Sequence, residues 1–182
     1  EVAVEKHHHV ARAQGADTDF DAVFDEYLSG YWKANPSAAA TPAGVHTYDG
    51  LMEDFAPPAI QAEIQRNRAF LVRFQRLEAV AMPLGRRVDL AIALDHVQLT
   101  LLELEEIQSW KRNPRFYVFL LRGAVLALVK REFAPAERRF RSVLLRLKLF
   151  PRVLEQARSN LDNPPELYTR QALDLVPRAA EF

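Results

Sequence analysis

Asn35-Pro36-Ser37-Ala38-Ala39-Ala40-Thr41-Pro42-Ala43-Gly44-Val45-His46-Thr47-Tyr48-Asp49-Gly50-Leu51-Met52-Glu53-Asp54-Phe55 separates long helical patterns and does not itself read as helix. Two prolines and two glycines punctuate it, and it also holds a histidine and several acids. A structureless connection of this length is uncommon in a compact domain unless it is functional or disordered. The fold reading is therefore helices on either side of one long loop.

Upstream of the loop, Phe20, Val23, Phe24, Tyr27, Leu28 and Tyr31 recur at three- and four-residue steps and define one aromatic helix face. Asp17 or Thr18 caps its start, Asp19 and Asp21 suit the first turn, and Pro36 ends it by restricting Asn35. Residues 1–16 lack apolar periodicity and include His7, His8 and His9, which fits a tail better than a metal site, since adjacent ligands there have no supporting shell. One helical domain over residues 17–182 is expected, because a chain of 182 residues suffices for a single core.

Downstream, Pro57 and Pro58 fit the first turn of a helix reaching about Ala81, with Ile60, Ile64, Leu71, Phe74 and Leu77 buried. Its arginines 66, 68, 73 and 76 read as a solvated face interleaved with Glu63 and Glu78. A helix from about Arg87 to Trp110 carries two apolar rows, Val88, Ala91, Ile92, Leu99 and Leu102 beside Leu94, Val97, Leu101 and Leu104. Two rows predict cover on more than one side and the central place in a bundle. His96 and Glu103 share a face of it, but no second helix offers a matching Glu-x-x-His, so no metal site is read there. After Asn113-Pro114 come helices over 115–133, over Ala136 to Phe150, from Pro151 to about Leu161, and over Glu166 to Val176. Phe140, Val143, Leu144 and Leu147 are expected to face inward, with Arg138, Arg139, Arg141, Arg146 and Lys148 on a basic outer side for which the acidic first helix is a candidate partner. Nothing alternates with period two, so the fold is all-α: an irregular bundle of about six or seven helices with one long loop between the first two main ones.

Composition removes several functions. The charges cancel, 24 basic against 24 acidic, and no binding motif accompanies the basic stretches, so nucleic acid is not an expected partner. Residues 1–60 hold 10 acids and 3 bases, while 130–182 hold 7 and 11, so the front is acidic and the rear basic. Without cysteine there is no thiolate chemistry or disulfide. The apolar run Phe116 to Val129 is broken by Arg122 and is too short for a membrane span. No leader pattern opens the sequence as it stands, although a removed one is compatible, and the compartment is open. There is no nucleophile elbow, no phosphate loop, and no histidine followed by glutamate; no catalytic or metal-ligating constellation is read in this chain.

The blocks Asn35-Pro36, Ala40-Thr41, Gly44 to Asp49 and Pro57-Pro58 resemble the amino-terminal signature of family 885 of bacterial domains of unknown function, read as zincin-like metallopeptidases. Trp110 to Pro114 with Tyr117, Glu132 to Pro135 with Glu137 to Arg139, and Arg146-Leu147 through Pro151 to Asn163-Pro164-Pro165 agree in order. Ala56 departs from the serine common before the helix proline, and loss of that cap costs about 1 kcal/mol. The resemblance implies a bacterial helical segment that lacks the family's downstream zinc motif and is inactive alone. Zinc belongs to the full-length family, and the partner is the downstream catalytic portion. His46, Tyr48 and Asp49 carry over as members of the motif and candidates for the substrate cleft. Two alternatives stay open beside this: His46 and Asp49 satisfying loop backbone groups, and the whole chain acting as a stand-alone helical protein-interaction module.

Overall fold

The computed structural model describes residues 20–80 and 82–180, with side chains described to residue 178. Among these residues it is all helix and loop: α1 (20–34), α2 (Pro57–Glu78), α3 (Leu84–Leu102), α4 (Ser109–Arg112), α5 (Pro114–Lys130), α6 (Ala136–Asn160) and α7 (Glu166–Ala180). The histidine run and the expected cap at Asp17 or Thr18 lie outside the described residues. The chain divides into two compact units, one from residues up to Gly30 with Ala62–Glu106, the other from Tyr31–Gln61 with residues 107 onward. Both α1 and α2 pass from one unit into the other.

In the first unit the aromatic face of α1 is buried through Phe20 and Tyr27. The Tyr27 ring meets Phe70 and Phe74 of α2 edge-on, at centroid distances of 5.2 and 5.6 Å. Ile64, Phe74 and Leu77 are buried as their spacing required, joined by Phe70. Acids of α1 pair within this unit, Glu26 with Arg73 at 2.7 Å and Asp21 with Arg86 at 2.9 Å. Short steps along neighbouring helices bring these arginines within reach; such exposed pairs contribute ~0–1 kcal/mol each.

The expectation that α3 is covered on more than one side is overturned. Leu90, Ala93, Leu94, Val97 and Leu101 are buried, whereas Val88, Ile92, Leu99 and Leu102 are largely exposed. Among the described residues of its unit only α1 and α2 stand beside it, so α3 buries one stripe and leaves the other open, and it is not the centre of that unit. It continues as a π-helical turn, Glu103–Ile107, and breaks at Gln108, whose φ of 53° is left-handed. His96 lies with Tyr27: the Tyr27 hydroxyl and its Nδ1 share a hydrogen bond of 2.6 Å.

In the second unit α5 is central, packing on α4, α6, α7 and the segment Pro36–Ala40. Tyr117, Leu120 and Ala124 of α5 form a core with Met52, Val153 and Ala157. The helices expected on either side of Pro151 are one, α6. A proline inside a helix removes one ladder bond and costs about 3 kcal/mol. Here Arg146 and Val153, both fully buried, clamp the helix on either side, and the residue whose carbonyl loses its donor, Leu147, lies on the exposed face where water can replace it. Pro177 likewise lies inside α7.

Burial, and secondarily Arg66, hold His96 below its ordinary value of 6.5. As pH falls through that value the unfolded chain takes up the proton before the folded unit does, so stability is full above it and declines below it. The urea midpoint should therefore fall on acidification through about pH 6.5. In His96→Gln that component should vanish; an unchanged profile would contradict the assignment. Tyr27→Phe should cost about 1–2 kcal/mol through the lost buried hydrogen bond.

Candidate functional site

The opening loop is an ordered structure built against α6. Asn35 supplies no side-chain cap to the short helical segment Pro36–Ala40. Glu53, sixteen residues on, supplies one instead: Oε1 accepts from the N–H groups of Ser37 and Ala38, each at 2.8 Å, and Oε2 accepts from Ser37 Oγ at 2.6 Å. A carboxylate suits the positive end of a helical turn, and its charge strengthens each bond. Gly44 then turns the chain with a φ of 87°, a conformation that favours glycine. His46–Tyr48 form one 3-10 turn, and residues 51–55 have no regular secondary structure.

α6 satisfies that irregular backbone. Arg152 donates to the carbonyls of Met52 and Glu53 at 3.2 and 3.0 Å, Gln156 Oε1 accepts from Phe55 N at 3.0 Å, and Asn160 Nδ2 donates to Phe55 O at 2.8 Å. Steps of four residues put Arg152, Gln156 and Asn160 on one helix face, spaced to satisfy groups that a strand would otherwise pair.

Nearly two turns further back sits Arg146, fully buried. Its Nε donates to Leu51 O at 3.1 Å, Nη1 to Ala124 O at 2.6 Å, and Nη2 to Pro36 O at 3.2 Å and Thr41 Oγ1 at 2.6 Å. Thr41 passes the contact on, its hydroxyl 2.6 Å from Asp49 Oδ1, and Asp49 Oδ2 accepts from His46 Nδ1 at 3.0 Å. The His46 ring lies flat on Phe133, with centroids 3.6 Å apart. Burial pushes the Arg146 pKa down, and the nearby carboxylates of Glu53 and Asp49 push it back up. The guanidinium stays charged in such surroundings. The expectation for α6 is thus inverted in part: Arg146 is inside, while Phe140, Leu144 and Leu147 are exposed and Val143 alone of that set is buried. The outer face is also less free than it read, since Arg139 donates to the last carbonyls of α5, Leu128 and Val129, at 3.2 and 2.8 Å.

Of the sequence candidates, the structure brings Asp49 and His46 together and buries Asp49. Tyr48 is half-buried one position away and joins neither by a side-chain hydrogen bond. An aspartate on Nδ1 fixes the ring and leaves Nε2 as its acceptor, the orientation a proton carrier needs. Arg146, Thr41 and Glu53 were missed by spacing. A usable signal was present: an arginine placed between Val143 and Leu149, one turn from core positions, is an inward position under helical periodicity. For the zinc implied by the resemblance, no three His, Cys, Asp or Glu side chains converge among the described residues, so these residues do not fit a metal centre.

Glu53→Ala should cost about 3 kcal/mol in chemical unfolding, because it strands three donors and unbalances a buried cation. Asp54→Ala, one residue on and exposed, should cost under about 1 kcal/mol. Equal losses would contradict the cap.

The family described as bacterial protein of unknown function, DUF885, matches residues 38–182. A solved structure of a candidate lipoprotein of unknown function from Shewanella oneidensis is similar over 88% of this chain, with a TM-score of 0.79 and 21% identity, a likeness that shows the fold. This chain spans 29% of the length of that one. No curated protein matches. The match begins inside the loop and includes Thr41, His46, Asp49 and Arg146, and the chain belongs to the DUF885 family.

Proposed function

We propose that this chain is a non-catalytic helical portion of a larger peptidase-like bacterial protein, in which it supplies scaffold and one wall of a substrate cleft. The observation that carries this reading is an uncovered apolar groove. It is formed by α5, α6 and α7 in the second unit, holds about 870 Å³, and among the described residues Arg122 is the one charged side chain on its lining. Phe140, Leu147, Leu154 and Val176 on its walls are all more than two-fifths exposed. Contiguous exposed apolar surface of this kind marks a surface meant for covering. The natural cover is the remainder of the family domain, because the Shewanella chain continues well beyond the part that this one matches.

On this reading the chain alone turns over no peptide, and zinc, if the family uses it, is held by the remainder. The His46–Asp49 pair, with Tyr48 beside it, forms the part of the cleft wall contributed here. The chain should bind a hydrophobic dye and self-associate, and Leu147→Glu with Leu154→Glu should reduce both. A monodisperse monomer that ignores the dye would move the reading to a self-contained interaction module. For the cleft wall, His46→Ala is introduced into a longer family member and peptide turnover is measured: a loss without loss of folding supports it, and unchanged turnover sinks it.

A further inference from the structure

The open row of α3 has a regular spacing. Val88, Ile92, Asp95, Leu99 and Leu102 follow one another at steps of four, three, four and three residues, and all five are exposed. That is the spacing of a heptad seam, the row by which one helix packs along another. The buried row Leu90, Leu94, Val97 and Leu101 keeps the same spacing and is already used within the helix's own unit. The outer row also borders a hollow of about 600 Å³, whose lining includes Val88, Ile92 and Asp95 of α3 with Glu78, Val80 and Met82 from the end of α2 and the turn after it. A helix laid along α3 therefore meets a second surface as well, the helix-in-groove mode of recognition.

Asp95 is the informative member. It stands at the middle of the seam, and among the described residues no salt bridge or hydrogen bond engages its carboxylate. Glu78, exposed on the same hollow, is likewise unpaired among them. Arg87 is the one base on that lining among the described residues, and it lies more than two helical turns before Asp95. One polar residue in an otherwise apolar seam costs stability and fixes register and partner, and a carboxylate covered there needs a cation opposite it. A second copy of α3 does not meet that need. Paired about Asp95 by a two-fold axis, it sets carboxylate against carboxylate.

We infer that the outer row of α3 docks a helix of another protein, one with its own apolar heptad seam and a lysine or arginine at the layer that faces Asp95. Val88, Ile92, Leu99 and Leu102 supply the apolar contact, and the ion pair at Asp95 supplies the register. A contiguous apolar row of this kind differs from the single exposed apolar residues that any surface carries. Glu78 on the same hollow adds a second attraction for a basic partner, and both acids oppose an anionic lipid surface. The inference concerns the first unit alone and does not depend on the peptidase-like reading.

Charge reversal supplies the test. Titrations of the chain, followed by calorimetry and backbone NMR shifts, would use three synthetic amphipathic helices of three heptads each, identical except at one central seam position, which is lysine, leucine or glutamate. The lysine helix should bind with shifts centred on α3, and the glutamate helix at least about tenfold more weakly, the size of one charge-assisted contact, with the leucine helix between them. Asp95→Lys should reverse that order, and Ile92→Glu should abolish binding of all three. Asp95 is exposed and Ile92 is 61% exposed, so each variant should keep the unfolding transition of the unaltered chain. No binding of any helix, equal binding of the lysine and glutamate helices, an order unchanged by Asp95→Lys, or shifts confined to the apolar groove of the second unit would overturn the inference. So would self-association of the chain that Ile92→Glu abolishes, since that result assigns the row to a second copy.

Discussion

A guanidinium with no access to water is the constraint around which the second unit is organised. Arg146 must find acceptors for its donors inside the protein, and it finds them on three separated pieces of chain: Pro36 and Thr41, Leu51, and Ala124 of α5. Removing one partner from a buried charge costs about 3–5 kcal/mol, far more than any single apolar contact in this small core. The loop therefore cannot drift without stranding the arginine. Asp49 and Glu53 complete the balance, one through Thr41 and the other by capping the segment that carries the Pro36 carbonyl.

The same economy governs the rest of that unit. Sixteen or so residues without regular helix bring many backbone polar groups into a partly buried place, where each needs a partner. α6 provides them from one face, using Arg152, Gln156 and Asn160 where a sheet would use a neighbouring strand. Its apolar residues are consequently divided: Val153 and Ala157 pack on α5, and Phe140, Leu147 and Leu154 are left for a groove. The first unit has its own open stripe on α3. Apolar surface is thus left open to solvent on α3 in the first unit and along the groove in the second.

Helix class was plain in the sequence because it rests on periodicity over many residues, and the buried stripe of α2 was correct nearly residue by residue. The helix joins were harder. Pro151 reads as a start because local chemistry disfavours it elsewhere, yet clamping at Arg146 and Val153 outweighs that preference. The row Val88, Ile92, Leu99 and Leu102 of α3 looked like core because periodicity reports apolarity and not the presence of a neighbour to cover it. His46 and Asp49 were singled out as unusual residues in a long loop, and they are in fact bonded to each other. What ties them to the fold was legible only in helical register, since Arg146 is one of five basic side chains and differs from the others in which way the helix points it.

The account stands most directly on that arginine, and amide hydrogen exchange of Arg146→Met beside the unaltered chain measures it. Methionine keeps much of the volume and removes every donor. The amides of residues 36–55 should then lose protection by about a hundredfold or more, consistent with a loss of ~3 kcal/mol, while those of α2 and α3 in the first unit keep theirs. Unchanged protection across residues 36–55 would contradict it, because the loop would then be held by packing and not by the buried charge.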